Sequence, residues 1–150
     1  MKTVRYCAVL VFFLAVCTAF TLADEPGRHP AYLHALSDLR AARAHLDRLT
    51  PSEHVDDEQL RAIDEIDKAI KEIKDAAIND GKDLNDHFPV DEHMDRRGRF
   101  HRALELLDKA HEDVAHKEDD PSVRGLRDRS LRHIDEAHHI VEHIIHQAGW

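Results

Sequence analysis

The chain has 150 residues, with 21 Lys+Arg, 30 Asp+Glu and 14 His, and a formal net charge of −9 with histidine neutral. The excess of acid argues against a nucleic-acid partner, which would need phosphates neutralised by Lys and Arg. The only cysteines are Cys7 and Cys17, so residues beyond 17 hold no disulfide, no thiolate zinc site and no thiol catalyst.

In chain order, residues 1–23 read as a signal peptide. Lys2 and Arg5 are followed by an apolar run from Cys7 to Leu22, and Ala23 stands before Asp24-Glu25. The competing readings are a retained anchor, which needs about 20 apolar residues, and lipidation at Cys17, where Val16 is bulkier than such a signal usually allows. Cleavage leaves 127 residues with a net charge of −11 and all 14 histidines. No stable membrane insertion is then expected. Residues 24–150 suffice for one domain with a modest core.

Pro26, Pro30, Pro51, Pro89 and Pro121 fall between apolar-periodic stretches. Four amphipathic helices are predicted, over about 30–49, 52–79, 91–117 and 121–147. Their stripes are Tyr32, Leu36, Leu39, Ala42, Leu46, Leu49; then Leu60, Ile63, Ile66, Ile70, Ile73, Ala77; then Phe100, Leu104, Leu107, Ala110, Val114; then Val123, Leu126, Ile134, Ala137, Val141, Ile144, Ala148. Thr50-Pro51-Ser52-Glu53 reads as a cap with a capping-box glutamate for the second helix, and Gly81 as a left-handed terminator. Nothing alternates with period two, so strands are not expected.

The pattern repeats. An offset of 68 carries Tyr32, Leu36, Leu39, Ala42 and Leu46 onto Phe100, Leu104, Leu107, Ala110 and Val114, and an offset of 71 carries Ile63-Asp64-Glu65 onto Ile134-Asp135-Glu136. One helical hairpin cannot bury both of its stripes. The prediction is an all-α antiparallel four-helix bundle built from two similar hairpins.

A helix turns about 100° per residue. On the last helix, His139, His143 and His146 therefore fall opposite the stripe, with Asp135 on the same side and His133 and His138 at its flanks. His139 and His143 are one turn apart and can share an ion. Asp135, His139, His143 and His146 form the leading metal-site candidate, for Cu, Ni or Zn, which imidazole suits. His87 and His93, with Asp86 and Asp91, make a second cluster. His34 and Asp38, joined by His45 on one flank of the first helix, make a third. His101 and His116 are expected to be exposed, and only His111 lies near an apolar stripe. Against these stands the reading that histidine merely solvates helix faces.

Other chemistries lack their residues. Glu136-Ala137-His138-His139 is a single outward Glu-x-x-His where a di-iron site needs two inward ones. There is no haem-attachment motif, no Gly-rich phosphate loop for a nucleotide and no nucleophile elbow. No catalytic residue is assigned and no enzyme is expected.

His133-Ile134-Asp135-Glu136-Ala137-His138-His139 and Val141-Glu142-His143 resemble the His/acid/Ala heptads of the bacterial small metal-binding protein family. The resemblance implies a secreted, cysteine-free helical bundle that binds copper and other divalent ions. Leu49-Thr50-Pro51-Ser52-Glu53 partly resembles the LTxxQ motif of periplasmic helical chaperones, with Glu53 in place of glutamine. The sequence thus points to a non-catalytic periplasmic or secreted metal buffer whose partners are metal ions. The alternative is a structural or interaction module, such as a stress chaperone, without a specific metal site.

Overall fold

A computed structural model describes residues 30–49, 53–54, 56–76, 87–91, 93–116 and 121–150. Residues 1–23, Thr50, Pro51, Ser52, Gly81 and Asp86 lie outside these. The described residues form four helices and no strand: α1 (Pro30–Asp47), α2 (Asp57–Ala76), α3 (Arg96–Ala115) and α4 (Pro121–Ala148). None is long and apolar enough to cross a membrane.

Local chemistry sets the helix ends. The second helix starts at Asp57 rather than 52, a correction to the sequence reading. Asp56 is its cap: the Asp56 carboxylate accepts the Gln59 N–H at 2.6 Å, and Asp57 and Glu58 place negative charge in the first turn. Asp56-Asp57-Glu58-Gln59 is itself a cap followed three residues later by an amide, and it prevails because Glu53 is used elsewhere, on Arg99. The third helix begins at Arg96 rather than 91. Asp95 caps it by accepting the Gly98 N–H at 2.7 Å, and Asp91 instead closes a small turn onto the His93 N–H at 2.8 Å. A Cβ at Gly98 would stand 2.7 Å from the Met94 side chain, so the approach to this cap needs glycine. α4 ends in a Schellman pattern. Gly149 has φ 69°, and the Trp150 N–H reaches the Ile145 carbonyl at 3.1 Å. Trp150 then packs edge-on against Phe100, with ring centroids 5.4 Å apart.

The helices pack around a ring in the order α1, α2, α4, α3. Ion pairs that climb α4 descend α2: Arg129 meets Glu72, His133 meets Glu65 and His143 meets Glu58. Between α3 and α4, Asp108 meets His138 and His111 meets Asp135.

Most of the predicted stripe residues lie in the core; Leu104 and Leu126 are half-buried, and Ala77 and the Val123 side chain lie outside the described residues. Tyr32 and Phe100, Leu39 and Leu107, Ala42 and Ala110, and Leu46 and Val114 are buried pair by pair at the offset of 68. Ile63 and Ile134, Ile66 and Ala137, and Ile70 and Val141 are buried at the offset of 71. Leu49 and Leu60 were expected in these stripes and are exposed. Leu49 lies beyond the end of α1. Leu60 stands beside the true inward position, which Gln59 takes, its amide donating to the Leu46 carbonyl. Ala148 is exposed in the last turn of α4. Arg40, His45, Arg99 and Ser130 are also buried, because each helix touches two neighbours and its inward arc is wider than one stripe.

Candidate metal centre

Five histidines of α4 project on successive turns, and their partners come from both flanking helices. The His133 ring bonds Glu65 of α2 at 2.6 Å, and the His143 Nδ1 bonds Glu58 of α2 at 3.2 Å. Burial raises the Glu65 carboxyl, but hydrogen bonds from Lys68 and His133 outweigh it and hold the group below its ordinary value. On the α3 side, His138 Nε2 lies 3.1 Å from Asp108, and Asp135 lies 3.3 Å from His111 Nε2. These four residues and His139 rim a depression of about 240 Å³ floored by Leu107 and Ile134.

At its edge, ligating atoms of His138, His139 and Glu142 lie within 4.8 Å of one another, and among the described residues no other such group of three is found. The two imidazoles stand nearly perpendicular, with centroids 6.0 Å apart. Glu142 follows His138 by four residues and His139 by three, so one helical turn brings the carboxylate back to both rings.

The expected strip on α4 is exposed throughout, at Asp135, His139, His143 and His146. Its members do not gather at one point. Asp135 turns to His111. His143 is engaged at both ring nitrogens, at Nδ1 by Glu58 and at Nε2 by the Gln147 amide at 3.1 Å. His139 joins His138 and Glu142 instead. His87 bonds its neighbour's carbonyl, at Phe88, at 2.6 Å. His93 is exposed and is tied to Asp91 only through its backbone N–H. His34 and Asp38 line one hollow between α1 and α3.

His45 departs from its expected place on the exposed flank. It is 4 % exposed and its Nδ1 has no hydrogen-bond partner among the described residues. His101 is likewise half-buried rather than exposed, with an unpartnered Nε2. The spacing that could have found the triad was legible in Glu136-Ala137-His138-His139 with Glu142 one turn on. By helical faces alone, His138 falls at a flank of α4.

Burial, and then the charges of Arg102 and Arg99, hold His45 below its ordinary value and keep it neutral. The unfolded chain takes up this proton near the ordinary imidazole value of about 6.5. Below that value it binds more protons here than the folded chain does. The His45 contribution is therefore full above about pH 6.5 and is lost as pH falls. Thermal melts at pH 7.5 and pH 5 check this: His45→Leu should lose less melting temperature between the two than the parent. Equal losses would show that His45 is not the acid-labile group.

No protein family, curated protein or solved structure matches this chain.

Proposed function

We propose that this chain is an exported, non-catalytic, antiparallel four-helix bundle that binds a divalent transition metal through His138, His139 and Glu142. The observation that carries the reading is the convergence of those three side chains within 4.8 Å. Two imidazoles and a carboxylate suit Cu(II), Ni(II) or Zn(II). Asp108, beside His138 Nε2, can take that N–H and so leave Nδ1 free as a ligand, the outer-shell role a carboxylate plays for metal-bound histidine. Three donors on one exposed turn leave positions for water and allow exchange, which fits buffering or sequestration.

The opposite order of the α2–α4 and α3–α4 pairs supports the antiparallel arrangement. Matched burial at the two offsets supports two hairpins of common pattern. Export rests on the composition of residues 1–23.

Titration calorimetry with Cu(II), Ni(II) and Zn(II) tests the proposal. His138→Ala with His139→Ala should weaken the tightest site at least tenfold, about 1.4 kcal/mol. Stability should change by only about 0.5 kcal/mol per substitution. His143→Ala with His146→Ala should leave that site intact. The reverse outcome would move the site to the outer strip. The chelator-treated protein should remain helical and melt cooperatively, because its core is apolar; an unfolded apo-protein would make metal part of the fold.

A further inference from the structure

Between α1 and α3 lie two adjoining hollows bordered by residues 87–91. The outer, of about 540 Å³, is lined by Leu33, His34, Asp38, Phe88, Lys109 and Asp113, among others. The inner, of about 180 Å³, is lined by His45, Val90, Met94, Arg102 and Leu106, among others. Asp38 and Phe88 line both, so the two form one groove. Its volume falls in the range of small-molecule sites, which are mostly apolar with a few placed polar groups.

Three observations point to an occupant. Phe88 is 70 % exposed and Leu33 is also exposed, leaving apolar surface at the groove mouth. The charged lining of the outer hollow is Asp38, Glu112 and Asp113 against Lys109. In the inner hollow, the buried His45 has a ring nitrogen without a hydrogen-bond partner among the described residues, and such buried groups in folded proteins ordinarily have one.

We propose that the groove binds a small organic cation, with its ammonium group on Asp38 and Asp113 and its apolar body against Leu33, Phe88 and Leu106. The charge excess selects a cation over an anion. Burial holds the Asp38 carboxyl above its ordinary value, and Asp113 adds to this against the pull of Lys109. An ammonium at this carboxylate would supply the partner that burial removed. The inner hollow sets Arg102 against Asp91, so beyond the shared Asp38 it lacks the acid excess of the outer one. The ammonium therefore stays in the outer hollow and the body points inward, where a hydroxyl or amide could meet the His45 ring. The apolar lining distinguishes this groove from a bare metal site, and the proposal does not depend on the α4 triad.

The test is calorimetric titration of the chelator-treated full chain with 2-phenylethylamine, 2-phenylethanol and phenylacetate. The amine should bind saturably, with the alcohol and the acid at least tenfold weaker. Asp38→Asn should weaken the amine at least tenfold and spare the alcohol. Its melting temperature should hold or rise, since a desolvated carboxylate is removed. Phe88→Ala, at an exposed position, should weaken amine and alcohol alike without loss of helix. His138→Ala with His139→Ala should leave amine binding unchanged, which separates this site from the metal reading. Equal affinity for amine and alcohol, indifference to Asp38→Asn, or no saturation by about 10 mM, beyond the weak millimolar end of specific binding, would overturn the proposal.

Discussion

Leu39→Ala and Leu107→Ala are each expected to cost about 2–5 kcal/mol, the range for emptying a buried leucine site. Both side chains are fully buried, Leu39 in α1 and Leu107 at the equivalent position of α3. α1 and α3 pack on each other, so neither void can close without moving a neighbouring helix. Equal burial at matched positions predicts similar losses for the two variants. A domain of this size has about 5–15 kcal/mol in total, so the double variant, at about 4–10 kcal/mol if the two costs add, should lose a large share of its stability. Urea denaturation followed by circular dichroism measures this, with Leu60→Ala as the comparison. Leu60 is 52 % exposed, so its truncation should stay within about 0.5 kcal/mol. A loss below 1 kcal/mol for Leu39→Ala, or a large one for Leu60→Ala, would show the inward arcs to be misassigned.

Leu60 marks the point at which sequence periodicity ceases to determine burial. The stripe of α2 is legible from Ile63 to Ile73 because four isoleucines recur at steps of three and four. One position before it begins, hydrophobicity and geometry part. Gln59 takes the inward place because its amide satisfies the last turn of α1, while Leu60 is left in water. His45 and Arg40 show the same effect on α1. A periodicity reading sends polar side chains outward, and these turn in because α1 has two neighbours. The cap of α2 was ambiguous for a different reason. Thr50-Pro51-Ser52-Glu53 and Asp56-Asp57-Glu58-Gln59 both carry capping chemistry, and the choice rests on Arg99, 46 residues after Glu53. The α4 histidines were legible as an exposed, donor-rich face. Their partners Glu58, Glu65 and Asp108 belong to other helices, so no local spacing could reveal which imidazoles are engaged. Spacing alone makes His143 a candidate ligand; in the structure Glu58 and Gln147 engage its ring, and His138 lies with His139 and Glu142.

Glu53→Ala is expected to destabilise the protein by about 3–5 kcal/mol, the cost of leaving one member of a buried ion pair alone. The Arg99 side chain is 3 % exposed and that of Glu53 15 %, and their charged atoms lie 2.7 Å apart. Arg99 also donates to the Met94 carbonyl at 3.2 Å, and its Nε has no partner among the described residues. Without Glu53, the guanidinium would keep that carbonyl and stay buried without its ion-pair partner. Arg99→Met removes the charge itself and keeps much of the volume, so it should cost far less, because replacing buried ionic groups by packed apolar ones is often neutral. The glutamate it leaves behind is the more exposed partner and can turn to water. The segment it belongs to keeps a second tie. Arg96 donates to the His54 carbonyl at 3.0 Å and to the Gln59 side chain at 2.8 Å while its guanidinium stands 5.2 Å over the Phe100 ring. Residues 53–59 should therefore stay docked on α3 in Arg99→Met and loosen in Glu53→Ala. Denaturant unfolding gives the two costs, and amide exchange at residues 56–60 reports the docking. A larger loss for Arg99→Met than for Glu53→Ala would mean that the pair is net stabilising and that its Coulombic attraction exceeds the cost of burying Arg99.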